Sequence, residues 1–311
     1  MSKIPVIIDC DPGIDDSIAI FLAHAHPDIE LIGLTPVAGN VPYVHTSNNA
    51  KNLAGLIGSD CVVTNGAQKP LMYTPSGNAA GVHGANGVRG AVIENVHGKE
   101  LTDVMAWDFI YEQAVKHSGE LIVCPIGPLT NIAIAIQKYP DLKDHVKRLV
   151  IMGGAYGHGN VTPYAEFNVW FDPDACQVVF ESGIPITLCG LDCTMAAAIT
   201  AEEIKECFGD DLPFSNLTNA IYDWVLEEPE ILADEDGWTI HDAITVAGVV
   251  YSDLYHTKPA FAYCVCDRDD KHLGQTVCDF GSETPNCDVA GPASKEKFVK
   301  ILKEMAAFYR Q

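Results

Sequence analysis

The stretch that most constrains this chain is IPVIIDCDPGIDD, residues 4 to 16. Ile4 to Ile8 is a short apolar run rich in β-branched residues, the pattern of a parallel strand buried on both faces, and it runs straight into Asp9, Asp11, Asp15 and Asp16. Side chains alternate along a strand, so Asp9 and Asp11 are expected on one face and Cys10 on the other. Pro12-Gly13 breaks the strand, and Ile14 to Ala25 has the composition of a helix with Asp15 and Asp16 in its first turn. Four carboxylates are thereby expected in one pocket. Two like charges about 4 Å apart repel by roughly 4 kcal/mol at an effective dielectric near 20, so such a cluster calls for a cation or a shared proton. The donors are hard oxygens, which favour calcium or magnesium over zinc or copper. Acids that merely complement a helix dipole account for Asp15 or Asp16 alone, not for the whole cluster.

The remainder reads as alternating strands and helices. Strands are expected at Glu30 to Val37, Cys61 to Thr64, Glu120 to Pro125, Arg148 to Met152 and Ile186 to Cys189. Helices are expected at Val44 to Ile57, Thr102 to His117, Leu129 to Lys138, Ala201 to Cys207, Leu212 to Leu226, Ala243 to Val250 and Ser294 to Tyr309. This order implies βαβ units, hence an α/β fold with an open, mainly parallel sheet flanked by helices, whose ligands sit beyond the carboxyl ends of the strands. From Lys258 onward, short strands suggest a small antiparallel addition. No linker divides the 311 residues, so one domain is expected.

Candidate polar groups recur at the ends of these strands. Asn40 follows the second strand, and His83 lies in the glycine-rich stretch 75 to 92, read as a mobile loop. The turn at Ile126 offers backbone carbonyls that can ligate a hard cation. Asn160 to Ala175 is dense in hydrogen-bonding residues; if the segment is extended, Glu166 and Asn168 point the same way around Phe167. Asp172 is placed to cap the following helix, to about Glu181. His241-Asp242 opens an apolar helix after an acidic loop at 227 to 238.

Composition limits the partners. A formal net charge of −23 and a pI near 4.6 argue against nucleic acid or an anionic membrane surface. No apolar run approaches the roughly 20 residues that span a bilayer, and the N-terminus lacks a signal-peptide pattern, so a cytoplasmic protein is expected. The eleven cysteines form no Cys-x-x-Cys pair and read as reduced core residues.

DCDPGIDD resembles the opening motif of the calcium-dependent nucleoside hydrolases, the inosine-uridine preferring N-ribohydrolase family. The resemblance extends over nearly the whole chain through Asn40, VHG (Val82 to Gly84), PIGPLTNIA (Pro125 to Ala133), MGGAYGHGN (Met152 to Asn160), AEFNVWFDPDA (Ala165 to Ala175) and HDA (His241 to Ala243). It implies calcium ligated by Asp11, Asp16, the carbonyl of Ile126 and Asp242, with Asp11 as general base. It implies further that Asp15, Asn40, Asn160, Glu166 and Asn168 hold ribose hydroxyls, that His83 and His241 lie near the leaving base with His241 assisting departure, and that the protein forms a homodimer or homotetramer. Base preference stays open; Tyr222 is a candidate ring, whereas Val225 and Pro229 carry no group diagnostic of a subclass. Two other readings compete: a phosphatase of the haloacid dehalogenase type using Asp9-x-Asp11 with magnesium, and a non-catalytic calcium-dependent ribonucleoside binder. The first is disfavoured by Pro12-Gly13 and by the scarcity of Lys and Arg for phosphate.

Overall fold

The computed structural model describes residues 3–73, 75–227 and 237–311. Its strands are β1 (Ile4–Cys10), β2 (Ile29–Pro36), β3 (Val62–Asn65), β4 (Leu101–Met105), β5 (Leu121–Pro125), β6 (Val146–Met152), β7 (Ile186–Cys189), β8 (Thr257–Cys264), β9 (Thr276–Asp279) and β10 (Cys287–Ala290). They form a ten-stranded sheet in the order β4-β3-β2-β1-β5-β6-β7-β10-β8-β9. Pairing is parallel from β4 through to β10, while β8 runs antiparallel to both its neighbours, which is the expected small addition.

Twelve α-helical segments among the described residues surround the sheet: α1 (Ile14–Ala25), α2 (Tyr43–Leu56), α3 (Ala80–His83), α4 (Ala106–Lys116), α5 (Thr130–Lys138), α6 (Phe167–Phe171), α7 (Pro173–Phe180), α8 (Leu191–Thr194), α9 (Ala201–Phe208), α10 (Ser215–Glu227), α11 (His241–Ala247) and α12 (Lys295–Tyr309). Val6, Ile8 and Cys10 of β1 pack into one core with α1, α2 and α9 to α12, and Ile7 packs into the other with α4, α5 and α7. A strand covered on both faces has no polar side to show, which is why β1 reads as an unbroken apolar run.

β1 lies level with its neighbours at the carboxyl end: Asp9 pairs with Thr35 of β2 and with Pro125 of β5. Two hydrogen bonds continue the ladder past the strands, from Val37 N–H to the Cys10 carbonyl at 2.8 Å and from Ile126 N–H to the Asp9 carbonyl at 2.7 Å. Asp11, the Val37 to Asn40 turn and Ile126 therefore leave the sheet at one point.

Four expectations are corrected. Residues 102 to 105 belong to strand β4, paired with β3, and the helix begins only at Ala106; backbone pairing to a neighbouring strand overrode the local helical pattern. The stretch 75 to 92 contains the one-turn helix α3 and buried Gly87 and Val88, so it packs against the body of the protein. Glu166 and Asn168 do not lie in an extended segment: Glu166 caps α6, and Asn168 is in its first turn. Asp9 does not join the other acids. Its Oδ2 accepts from Thr35 Oγ1 at 2.6 Å and from Asn131 Nδ2 at 2.8 Å. Burial raises its pKa to about 7 despite these two bonds. The eleven cysteines are free thiols, as expected, and no helix among the described residues is long and apolar enough to cross a membrane.

Asn131 of α5 is the clasp of this region. Its Nδ2 also faces the Thr35 and Pro36 carbonyls at 3.3 and 3.2 Å, and its Oδ1 accepts from Ala67 N–H at 2.8 Å, so one amide ties together β1, β2, α5 and the turn after β3. Asn131→Ala should lower unfolding free energy by about 1–3 kcal/mol, the cost of stranding buried polar groups. Urea unfolding measures this, and an unchanged midpoint would contradict the clasp.

Candidate active site

The floor of the site is built where helix α1 begins. The Asp16 carboxylate folds back over the helix N-terminus, accepting from Gly13 N–H at 2.9 Å and Asp11 N–H at 3.1 Å. Asp11 is held by Asn40, whose N–H donates to Asp11 Oδ2 at 2.6 Å, while Asn40 Nδ2 faces the Asp11 carbonyl and Asp16 Oδ2, both at 3.2 Å. A side chain at Gly39 or Gly127 would strike the Asp11 carboxylate, so both positions admit only glycine in this packing. Helix α11 packs on α1 and brings Asp242, in its own first turn, to the same place.

Oxygens of Asp15, Asp16 and Asp242 lie within 4.8 Å of one another, and all three residues are buried. Asp15, expected to hold ribose, belongs to this converging trio. Asp11, expected to be a ligand, stands beside it, close enough for mutual repulsion to raise the pKa values of Asp11 and Asp242. Burial is the first cause throughout: it holds Asp11 and Asp242 well above the usual carboxylate range, Asp15 at about 8 and Asp16 at about 6. Asp16 is the least raised because backbone N–H groups and Asp242 bond to it.

This donor set fits a calcium ion. All the converging groups are oxygens, and the Oδ1 atoms of Asp11 and Asp15 are buried without a hydrogen-bond partner among the described residues. Calcium takes 6–8 oxygen ligands with loose geometry, which a cluster of carboxylates plus a carbonyl can begin to supply. The Ile126 carbonyl borders the same space and accepts from Asn168 Nδ2 at 2.9 Å.

Above the floor opens a cavity of about 360 Å³, within the range of small-molecule sites. Asp15, Asn40, His83, Ile126, Asn160, Glu166, Asn168, His241 and Asp242 all line it, whereas Asp11 and Asp16 lie beneath. Several of these side chains are already engaged. The Glu166 carboxylate accepts from the N–H groups of Gly154, Asn168 and Val169, Asn160 Oδ1 accepts from Phe167 N–H, and Asn168 Nδ2 reaches the Met152 carbonyl besides that of Ile126. The Asn160 amide nitrogen and the Asn168 amide oxygen keep hydrogen-bonding capacity for a ligand.

Both histidines are neutral near pH 7. His83 Nδ1 accepts from Ile14 N–H at 3.2 Å, so any ring proton is on Nε2, and burial, Arg89 and His241 bring its pKa to about 3. Its 3.8 Å separation from Asp15 is therefore not an ion pair. His241 shares a 2.7 Å hydrogen bond with Thr194 Oγ1, and burial lowers its pKa to about 4.

The far wall is aromatic and was not foreseen. Trp224, Trp238 and Phe167 line it with Val82 and Val161. Tyr222 does not: it packs beside α9 with Lys205 5.2 Å from its ring, while Val225 is in the core. Pro229 and most of the acidic stretch 227 to 238 lie outside the described residues. A tryptophan at helical spacing among apolar residues reads as core, so only the placement of α10 distinguishes Trp224 from its neighbours.

The model of the inosine-uridine preferring nucleoside hydrolases matches residues 6–300. The chain belongs to this family. It is 35% identical to the pyrimidine-specific ribonucleoside hydrolase RihA of Shewanella oneidensis, covering 98% of this chain and 96% of that protein. It is also 35% identical to the non-specific ribonucleoside hydrolase RihC of Escherichia fergusonii, covering 97% and 94%. Among solved structures it resembles a purine-preferring ribonucleoside hydrolase from Gardnerella vaginalis, with a TM-score of 0.91 at 29% identity over 98% of this chain and 99% of that one. As a member of this nucleoside hydrolase family it is a calcium-dependent enzyme that cleaves the N-glycosidic bond of ribonucleosides. The phosphatase reading is set aside, and no Lys or Arg lines the cavity among the described residues.

Carboxyl groups with folded pKa values above their ordinary 3.8 make the metal-free folded state bind more protons than the unfolded chain across roughly pH 4 to 8. Stability of the chelated protein should therefore fall as pH rises through that window, and calcium should restore it most at the alkaline end. Thermal midpoints at pH 5 and pH 8, with and without calcium, check this; a chelated midpoint that rises with pH contradicts it.

Proposed function

We propose that the ribose sits over the acidic floor with its vicinal hydroxyls toward Asp15, Asp16 and Asp242, and that Asp11 is the general base. The observation that carries this reading is the division of one cavity into a carboxylate floor and an aromatic wall, matching a polar sugar joined to a flat base. Asp15, Asp16 and Asp242 would hold the calcium, which would supply Lewis acidity toward the attacking water and the vicinal hydroxyls. Asp11 Oδ1, buried without a hydrogen-bond partner among the described residues, takes the proton of that water as its oxygen bonds to C1′ and the C1′–N bond breaks, the base leaving with the bonding electron pair and taking its proton from solvent. Positive charge that develops on the sugar, as in glycoside hydrolysis, meets the Asp15 carboxylate and the amide oxygen of Asn168. Asn40 keeps Asp11 and Asp16 in place, and Glu166, through its hold on the backbone, keeps the Asn168 turn in place.

His83 and His241 act at the base as neutral imidazoles: each can give a hydrogen bond to the departing ring, not the proton of an imidazolium. Two indoles at the base end favour the larger π-surface of a purine. The relatives divide on the base, so this preference is specific to the wall of this chain. The exposed Phe261 and Tyr263, which share a face of β8 near the sheet edge, support a homodimer or homotetramer.

A panel of inosine, adenosine, uridine and cytidine with their 2′-deoxy forms, assayed for reducing sugar with and without chelator, tests the reading. Release should require calcium, should be faster for purine ribonucleosides, and should fall by orders of magnitude for the deoxy forms; binding without any release would leave a ribonucleoside binder. Asp11→Ala should lower kcat by at least 10²-fold, the ordinary worth of a general base, with turnover near that of the parent overturning its role. Static light scattering should give two or four times the chain mass, and Tyr263→Asp should lower it.

A further inference from the structure

We propose that Arg89 is a positioning residue for the base end of the site, holding the Trp224 indole so that its ring N–H donates to an acceptor on the base. The proposal rests on the reading that the base lies against the aromatic wall. Trp224 is 4% exposed, lines the cavity, and its Nε1 is buried without a hydrogen-bond partner among the described residues. A buried N–H left unpaired costs about 1–3 kcal/mol, so a donor kept beside a binding cavity is best explained by an acceptor that the ligand brings. Purine and pyrimidine rings both present such acceptors at their edges.

What holds the indole is Arg89. Its guanidinium carbon lies 4.2 Å from the Trp224 ring centroid, and Arg89 is not among the residues lining the cavity, so the cation backs the ring away from the ligand. The arginine is presented by a turn that leaves it little freedom. Its φ is +52°, a left-handed conformation that costs a non-glycine residue about 1 kcal/mol or more. Its N–H donates to the His83 carbonyl at 2.8 Å, and its Cα packs against Gly84, where an added Cβ would come within 2.9 Å. Asn86 Oδ1 accepts from Val88 and Gly90 N–H, and Asn49 of α2 grips the Asn86 carbonyl at 2.8 Å. One residue thus joins the turn that carries His83 to the helix that carries Trp224, the two elements that flank the base. A glycine would relieve the backbone and lose the bridge.

The test uses Trp224→Phe, Arg89→Met and Arg89→Lys in the calcium-loaded enzyme, with kcat and KM measured on the nucleoside that the parent turns over best, and free ribose as an inhibitor that senses the sugar end alone. Trp224→Phe keeps a ring and removes the N–H; kcat/KM should fall about ten-fold with ribose inhibition unchanged. Arg89→Met should raise KM about three- to ten-fold with kcat and ribose inhibition little altered, and Arg89→Lys, which keeps the cation, should recover most of the loss. Parental kinetics in Trp224→Phe, a failure of Arg89→Lys to recover more than Arg89→Met, or ribose inhibition weakening in step with KM would each overturn the proposal, the last by showing a merely structural role. Failure of the parent to release any base would instead overturn the reading beneath it.

Discussion

The structure depends on keeping several carboxylates out of water and close together. Asp11, Asp15, Asp16 and Asp242 are all buried; burial raises all four pKa values, and repulsion from neighbouring carboxylates adds to it at Asp11, Asp15 and Asp242. The protein concentrates what partial positive charge it has around them. The N-terminus of α1 meets Asp16 through the Gly13 amide, the Asn40 amide meets Asp11, and Gly39 and Gly127 clear the space that the Asp11 carboxylate fills. These dipoles reduce the repulsion without cancelling it. A divalent cation completes the compensation, so the floor has an electrostatic stake in its metal before any substrate arrives.

Two aspartates only two residues apart divide the remaining work. Asp9 is spent on architecture, bonded by Thr35 and Asn131 below the site, and Asp11 emerges one step later where the sheet ends. The same economy governs the wall. Glu166 and Asn160 each satisfy backbone N–H groups, and the Asn168 amide nitrogen satisfies two carbonyls, so their geometry is set by the protein rather than by the ligand. On the proposed reading, groups fixed in this way need not be reorganised as charge develops on a bound sugar, which is the condition for electrostatic stabilisation to lower a barrier.

Much of this was legible in the amino-acid order. Buried strands such as Ile4 to Ile8 and helices such as Thr130 to Lys138 carry their periods openly, and strand alternation with helices implies where ligands collect. Acids at strand and helix ends by themselves point to a hard cation. The direction of each side chain was less legible. Alternation placed Asp9 with Asp11, but the chain leaves the strand between them, and the partners that claim Asp9 lie 26 and 122 residues away. The spacing of Glu166 and Asn168 suggests an extended segment because nothing local announces that a carboxylate will cap its own following turn. Residues 102 to 105 followed a pairing with β3 that the local pattern does not contain.

The aromatic end of the cavity was the least legible part, and the reason is structural. The carboxylate floor begins where β1, β2 and β5 stop level with one another, so sheet register positions Asp11 and its surroundings. The aromatic wall comes from Phe167 of α6, from Trp224 of α10 and from Trp238, with Val82 of α3 beside them, none of which belongs to a strand of the central sheet. Their spacing depends on contacts such as Arg89 on Trp224, made between segments more than a hundred residues apart. Substitutions at such contacts can remodel the base pocket while leaving the carboxylate floor in register. That separation lets one metal-dependent hydrolytic centre serve relatives described as pyrimidine-specific, non-specific and purine-preferring. On the proposed reading, specificity in this architecture rests on side-chain bridges outside the sheet, while the carboxylate floor is set where the strand ends meet the first turns of α1 and α11.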